Sequence, residues 1–329
     1  MREQMKRWCR WGGIAATALA MSACTVGAPD AAGEQTAHYD EALWGGDYTH
    51  TQYPIVLCHG LAGFDTLFGV VDYFFGIASA LGSGGATVYA THVPSFDSTE
   101  ARGEALLAEI EDIAARTGAK KFNLVGHSHG GLDARYVAAV RPDLVASVTT
   151  VGTPHQGAEI ADFLRAHLAP GGFTEGVLAL FANSLGVVIN LLSGHSAPED
   201  ALASLYALSA QGTADYNAKF PAGLPTTACG DGAARAGGIS FYSWSGTSPL
   251  TNVLDVLDPA FGLASTVYHE PNDGLVGRCS SHFGAVIRDN YTMNHGDEVN
   301  QLFGLTAIFA TSPVTVYRAH ANRLKNAGL

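Results

Sequence analysis

Short apolar runs alternate with amphipathic segments along most of this chain. Four of the runs have the length of buried strands, at 53–58, 86–93, 121–125 and 146–151. Strands that are covered on both faces of a parallel sheet give continuous apolar runs of this kind, whereas half-exposed strands alternate. The pattern therefore predicts a mostly parallel sheet.

Helical patterns fill the intervals between these runs. Asp97, with a glutamate three positions later, is typical of a helix start, and apolar residues then recur at helical spacing over 106–113. A second short helix is predicted at 132–140. Strand, helix, strand, helix, strand is the order of a parallel sheet with crossover helices. We expect one α/β domain over residues 51–329, with an insertion near 155–225.

Composition and charge narrow the class of protein. The chain has 329 residues, of which 47% are hydrophobic, and its formal net charge is −12. That apolar content excludes an intrinsically disordered chain, and the negative charge disfavours nucleic-acid binding. Five cysteines without a CxxC pair indicate neither a disulfide scaffold nor a zinc site.

The first residues have the features of a leader. Residues 1–10 are basic and 11–23 are small, apolar and uncharged, which is too short a stretch to span a bilayer. We interpret 1–23 as a secretory signal peptide and 24–50 as a flexible lead-in. Cys24 follows a sequence close to a lipobox and could become a lipidated anchor. Val26-Gly27-Ala28 instead fits cleavage by an ordinary signal peptidase, which would release a free secreted protein.

The clearest chemical motif is Gly-His-Ser-His-Gly at 126–130, which matches G-x-S-x-G. It follows a predicted strand and opens a predicted helix, as a nucleophile elbow requires, so Ser128 is the candidate nucleophile. A serine nucleophile needs a base and an acid. In folds that carry this elbow, the acid and then the histidine base follow the serine along the chain. Asp273, in a turn-like segment, and His295, in a loop-like one, have that order.

The negative charge that develops in acyl transfer needs main-chain N–H donors. One is expected from His129, directly after the nucleophile, and the other from the loop after the first strand, with Leu61 as the better choice. The side chains of His127 and His129 flank the serine but are expected to leave the elbow in other directions, so neither is the candidate base.

Four segments extend this pattern from residue 53 to the end of the chain: YPIVLCHGLAGFD, GHSHGGLDARYVAAVRPDLVASVTTVGTPHQG, NDGLVGRCSSHFG and MNHGDEVNQLFGL. Together they resemble the secreted bacterial triacylglycerol lipases of the Pseudomonas–Burkholderia type. The resemblance implies an α/β-hydrolase fold and hydrolysis of lipid esters. It also implies residue roles: nucleophile Ser128, acid Asp273, base His295, and oxyanion donors Leu61 and His129.

The same resemblance implies one structural Ca²⁺ near the catalytic histidine. Asp297 matches one carboxylate ligand, and Gln301 and Leu305 match positions that offer main-chain carbonyls. The second carboxylate matches Asp255, although the nearby Asp258 leaves that assignment open. Oxygen ligands of this kind suit Ca²⁺, and the ion would brace the loop that holds the base.

Two further features follow from the resemblance. Cys229 and Cys279 match the family's single disulfide, which leaves Cys58 as a free thiol in the core. The family's lid falls at about 173–193. The residues of 177–192 alone fit either a core helix or a mobile lid with an apolar face, and the resemblance favours the lid.

The resemblance also implies a partner and an export route. Many such lipases need a dedicated membrane-anchored foldase in the periplasm before type II secretion. A carboxylesterase or polyester hydrolase on the same fold, and a non-enzymatic binding protein on this scaffold, are the alternative interpretations.

Overall fold

The computed structural model describes residues 37–39, 46–61, 66–67, 71–167 and 201–329. These described residues belong to one compact unit. The predicted signal peptide and the predicted lid at 173–193 lie outside the described residues. Across the described ranges, no helix combines the length and the apolar character needed to cross a membrane.

The centre of the fold is a mostly parallel sheet, as the apolar runs predict. Its strands are β1 Ala37–Tyr39, β2 Ile55–Cys58, β5 Val88–Ala90, β6 Phe122–His127, β7 Val145–Val151, β8 Arg235–Ala236, β9 Ile239–Gly246 and β10 Ala285–Tyr291. The order is β1-β5-β2-β6-β7-β9-β10, and β8 pairs with β9. Within this sheet, as far as the structure describes it, only the pairings of β1 with β5 and of β8 with β9 are antiparallel. A separate antiparallel hairpin joins β3 Thr66–Leu67 and β4 Val71–Asp72.

The register of the central strands brings three of their carboxyl ends to one edge of the sheet. Cys58 at the end of β2 pairs with Gly126 of β6, and Gly126 pairs with Thr150 of β7. In open α/β sheets, ligands bind outside this edge. The loops that follow β2, β6 and β7 therefore meet where a site is expected.

The helices cover both faces of the sheet. They are α1 Ile77–Gly82, α2 Thr99–Thr117, α3 His129–Val140, α4 Glu159–His167, α5 Ala201–Ala207, α6 Ala210–Lys219, α7 Asp258–Ala264 and α8 Pro313–Asn326. The N-cap of α2 is Ser98, whose hydroxyl accepts a hydrogen bond from the Ala101 N–H, rather than the predicted Asp97. The Asp97 carboxylate instead accepts from the Ser98 N–H.

Two apolar clusters lie on opposite faces of the sheet, because successive strand residues point to opposite sides. Leu57 and Trp244 pack with α1 and α8 on one face. Val56 and Phe241 pack with α2 and α3 on the other. This double coverage explains why the strands read as continuous apolar runs, and it makes the sheet a rigid support for its loops.

The cysteines follow the predicted arrangement. Cys229 and Cys279 form a disulfide that closes a span of 50 residues. Cys58 is a buried free cysteine at the end of β2, and burial raises the pKa of its thiol well above the ordinary range. It is therefore an inert core thiol rather than a nucleophile.

Candidate active site

Ser128 occupies a sharp turn between a buried strand and a helix. Strand β6 ends at His127 and α3 begins at His129, so a single residue makes the change of direction. Ser128 has φ 55° and ψ −128°, a strained conformation for a residue with a side chain. The helix starts three residues earlier than the predicted 132–140, directly behind the serine.

Glycines at the elbow let the backbones approach closely. A Cβ atom on Gly126 would collide with the main chain of Gly130. A Cβ on Gly130 would collide with the carbonyl oxygens of Cys58 and His59, at the end of β2. The two glycines of the motif are therefore required by packing, and Ser128 is held over the edge of the sheet.

His295 and Asp273, 22 residues apart, form a close pair. The His295 Nδ1 lies 2.8 Å from Asp273 Oδ2, and the His295 main-chain N–H donates to the Asp273 carbonyl at 2.9 Å. The other carboxylate oxygen accepts the N–H groups of Leu275 and Val276. A carboxylate at Nδ1 fixes the tautomer that leaves Nε2 as a base.

The loop after β2 lies directly against the serine. A Cβ atom on Gly60 would come within 2.7 Å of Ser128 Cβ, so Leu61 follows immediately beside the elbow. The main-chain N–H groups of Leu61 and His129 donate to no acceptor among the residues the structure describes. Both predicted oxyanion donors therefore lie at the elbow with N–H groups available for a ligand.

A buried arginine holds this loop in place. The Arg102 guanidinium donates to the carbonyl oxygens of His59 at 2.9 Å and of Pro94, and it pairs with Asp133 at 2.8 Å. Both charged side chains are buried. Arg102 comes from α2 and Asp133 from α3, so the pair ties the oxyanion loop to the helix behind the nucleophile.

Sequence reasoning missed a polar network behind the triad. The Tyr73 hydroxyl accepts the Gly60 N–H at 3.1 Å and lies 2.7 Å from His127 Nδ1. His127 Nε2 lies 3.3 Å from a carboxylate oxygen of Glu298. The His127 ring packs 4.5 Å from that of His295, so the prediction that it leaves the site is wrong. The side chain of His129 does leave, towards Thr99.

Burial controls the protonation of this network. Burial lowers the pKa of His127 well below its ordinary value. Burial also raises the pKa of Glu298 well above its ordinary value, and the nearby charge of Asp273 raises it further. Asp273 then remains the acid that pairs directly with His295. Glu298 follows His295 by three residues in a turn, and this spacing was the one signal in the sequence that could have indicated it.

The elbow opens into a largely apolar pocket. The pocket encloses about 1040 Å³ of empty space, part of it open to solvent. Ser128, His127, His295 and Gln301 contribute polar groups. The apolar lining includes Leu61, Ala158, Ile160, Leu164, Leu205, Leu208, Leu257, Phe261, Leu275 and Val276. Such a lining suits the hydrocarbon chain of a substrate.

Next to the pocket is a group of buried oxygen atoms without partners. Asp255 and Asp297 are buried, yet one carboxylate oxygen of each has no hydrogen-bond partner among the described residues. Burial raises the pKa of Asp255 to about 6 and of Asp297 to about 7, and neighbouring carboxylates add to both shifts. Unsatisfied buried carboxylates of this kind are the expected ligands of a hard cation.

The carbonyl positions agree with such a cation site. The main-chain oxygens of Gln301 and Leu305 accept no hydrogen bond from the described residues. Asp258 differs, because its carboxylate accepts from the Thr251 and Asn252 N–H groups and from the Asn294 amide. This pattern favours Asp255 over Asp258 as the carboxylate ligand.

A second set of potential ligand atoms surrounds the candidate base. Atoms of His127, His295 and Glu298 lie within 4.8 Å of one another. Two of the three donors are imidazole nitrogens, which suit zinc or copper better than calcium. The set differs from the predicted calcium ligands and includes the candidate base.

Comparison with known proteins agrees with this geometry. Residues 53–317 match the family model described as the alpha/beta hydrolase fold. A Vibrio cholerae protein named triacylglycerol lipase is 52% identical, covering 88% of this chain and 96% of its own length. Proteins of that name from Burkholderia plantarii and Pseudomonas fragi are each 43% identical, covering 96% and 86% of this chain and 98% and 99% of their own lengths.

Solved structures share the fold at much lower identity. A Bacillus licheniformis lipase in mature form superimposes with a TM-score of 0.57 at 18% identity, covering 82% of this chain and 95% of that one. A Staphylococcus hyicus lipase superimposes with a TM-score of 0.54 at 17% identity, covering 87% of this chain and 99% of that one. These similarities bear on the fold, whereas the sequence relatives establish that the chain belongs to the bacterial triacylglycerol lipases of the α/β-hydrolase family.

Proposed function

We propose that this enzyme hydrolyses the ester bonds of triacylglycerols through an acyl-enzyme on Ser128. One observation carries the proposal: the strained Ser128 and the Asp273-paired His295 line the same apolar pocket. A charged or polar substrate would gain nothing from such walls. A fatty acyl chain gains free energy from being buried there.

Acylation begins with a proton transfer. His295 Nε2 accepts the proton of Ser128 Oγ as that oxygen attacks the ester carbonyl carbon. Asp273 holds the ring in the required tautomer and stabilises the imidazolium that forms. The tetrahedral intermediate collapses, and the departing alcohol takes the proton from His295.

The main-chain N–H groups of Leu61 and His129 stabilise the oxyanion of this intermediate. Arg102 keeps the Leu61 donor in place because it binds the carbonyl of His59, two residues upstream. In deacylation, water attacks the acyl carbon while His295 takes its proton. His295 then returns a proton to Ser128 and the fatty acid leaves.

Asp255, Asp297, Gln301 and Leu305 would hold one Ca²⁺, and their oxygen donors fit that ion. The ion would supply positive charge to two buried carboxylates and stabilise the loop that carries His295. The chemical step uses the residues of the triad and the two N–H donors.

The triglyceride saturation curve tests the substrate class. Fatty-acid release is measured as the triglyceride concentration passes its solubility limit, for wild type and Ser128→Ala. A lid at 173–193 that opens at an interface predicts a steep rise beyond that limit. A smooth curve with good turnover of soluble esters favours the alternative, a carboxylesterase or polyester hydrolase.

We also propose export with cleavage after the leader, and folding assisted by a periplasmic foldase. The Cys229–Cys279 disulfide supports this route, since such bonds persist in oxidising compartments. Mass spectrometry of the secreted N-terminus distinguishes a lipidated Cys24 from cleavage after residue 28. Refolding yield with and without co-expressed foldase tests the partner.

A further inference from the structure

A buried arginine on α3 has only neutral partners. The Arg135 guanidinium donates to the Phe220 carbonyl at 2.7 Å and to the Asn217 side-chain oxygen at 3.0 Å. It also lies 3.0 Å from His155 Nδ1. Burial lowers the pKa of His155 well below its ordinary value, so this ring is neutral at neutral pH and accepts the bond. None of these hydrogen-bond acceptors is a carboxylate.

The charge of Arg135 is therefore uncompensated among the described residues. Only 3% of its surface is exposed, and burial lowers its pKa to about 10, which still leaves the guanidinium protonated at neutral pH. Its Nε–H has no acceptor in the described part of the chain. Arg102, which is also buried, pairs with Asp133 at 2.8 Å. Because a buried charge is costly without a partner of opposite sign, an anion is the partner that Arg135 lacks.

Arg135 lines a cavity that shares no lining residue with the pocket at Ser128. The cavity encloses about 840 Å³ of empty space, part of it open to solvent, beside α3, the end of α6 and β9. Its charged lining residues are Arg135 and the exposed Lys219, which already pairs with Glu100. The apolar part of the lining includes Ala138, Ala139, Phe220, Pro221, Ile239 and Phe241. A buried cation among apolar walls suits an anion that carries a hydrocarbon chain.

We propose that this cavity binds a carboxylate with an apolar chain, the class of molecule to which fatty acids belong. The carboxylate would accept the Arg135 Nε–H and supply the negative charge that the guanidinium lacks, and the chain would lie along the apolar walls. A small inorganic anion would leave those walls without a ligand, and an alcohol would leave the charge unpaired. The proposal goes beyond ester hydrolysis, because the cavity lies apart from Ser128 and its ligand is bound rather than cleaved.

Calorimetric titration with sodium octanoate tests the proposal. Ser128 is first blocked with an alkyl phosphonate ester that reacts with activated serines, so that octanoate cannot enter the pocket at the nucleophile. Acetate and octanamide are titrated in parallel. Acetate lacks the apolar chain and octanamide lacks the charge, so the two ligands separate the contribution of the walls from that of Arg135.

Three variants separate this cavity from the rest of the molecule. Ala139→Leu places a larger side chain in the cavity from an exposed position of α3 and leaves Arg135 and its partners unchanged. Ala115→Leu is the matched control, since it makes the same exchange at an exposed position of α2 that lines neither cavity. Arg135→Met removes the charge together with the hydrogen bond to Phe220, so its melting temperature is measured as well.

The expected result is saturable binding of one octanoate per blocked molecule, with acetate and octanamide weaker by roughly tenfold or more. Ala139→Leu and Arg135→Met should each weaken octanoate binding to a similar extent, and Ala115→Leu should match wild type. Where Arg135→Met does not fold, Ala139→Leu decides the outcome. Absence of saturable binding, equal affinity for octanamide, or unchanged affinity in Ala139→Leu would overturn the proposal.

Discussion

The nucleophile elbow and the loops beside it satisfy their buried polar groups in different ways. At the elbow, both oxygens of Asp273 have partners, and Arg102 is bound by carbonyls and by Asp133. In the neighbouring loops, Asp255 and Asp297 each keep a buried oxygen without a partner. The same loops expose large apolar side chains, such as Val253 and Phe309.

This difference indicates what each region needs in order to function. The carboxylate of Asp273 and the guanidinium of Arg102 already have protein partners, so the groups that orient His295 and the loop after β2 are in place before the substrate arrives. The loops have unsatisfied oxygens inside and apolar side chains outside. The proposed Ca²⁺ would supply the missing partners of the buried oxygens. Changes at the elbow should therefore alter rates, whereas changes at the buried carboxylates of the loops should alter stability.

The largest effect is expected from Asp273→Asn. An amide in place of the carboxylate favours the wrong tautomer of His295, and the turnover number should fall by about 10⁴-fold. The melting temperature should change little, because the side chain keeps its shape. Asp289→Asn, which changes a carboxylate outside the pocket, is the control for charge, and its turnover should match wild type. A loss of less than tenfold for Asp273→Asn would contradict the role assigned to Asp273.

Gly130→Ala should give the next largest loss. The new methyl group would collide with the carbonyls of Cys58 and His59 and displace the loop that carries Leu61. A displacement of about 1 Å at a reacting centre costs roughly 10²-fold in rate. Gly118→Ala is the comparison, because its Cβ meets nothing within 4 Å. It should cost about 1 kcal/mol of stability through its positive φ and leave the rate unchanged.

Removal of calcium should affect stability more than chemistry. An ion present at 100 times its dissociation constant stabilises by about 2.7 kcal/mol. A domain of this size shifts by about 2–4 °C per kcal/mol, so chelation should lower the melting temperature by roughly 5–10 °C. An identical melting temperature after dialysis against a chelator would contradict the proposed calcium site. Asp255→Asn should abolish the effect, whereas Asp258→Asn should leave a response to added calcium.

The smallest effect is a pH dependence of that calcium response. Without metal, the folded-state pKa values of Asp255 and Asp297 are about 6 and about 7, above the ordinary 3.8. Stability from a raised carboxyl pKa is present at low pH and is lost as pH rises through 6 and 7. Calcium needs both groups deprotonated, so its stabilisation grows over the same range. The melting-temperature difference between calcium and chelator should thus be larger at pH 8 than at pH 5, and an equal difference would contradict the assignment.

The elbow could be predicted from sequence because its determinants are local. Strand β6, the turn at Ser128 and helix α3 follow one another without interruption, and the glycines are required by contacts within that unit and with β2. The predicted start of α3 at residue 132 is three residues late, because the buried His129 does not fit an amphipathic pattern.

The network behind the triad could not be predicted in the same way. Tyr73 and Glu298 lie 54 and 171 residues from His127 and meet it only through tertiary packing. Their residue types carry no local signal, since tyrosine is common in cores and Glu298 resembles a solvated helix start. The orientation of the His127 ring likewise depends on His295, which packs against it from the other end of the domain.

The identity of the nucleophile can be measured by covalent labelling. The enzyme is treated with a chromogenic alkyl phosphonate ester that reacts with activated serines, and the labelled peptide is identified by mass spectrometry. The account predicts one adduct per molecule, on Ser128, with loss of triglyceride hydrolysis in proportion to labelling and no adduct in Ser128→Ala. An adduct on another residue, or full activity after complete labelling of Ser128, would contradict it.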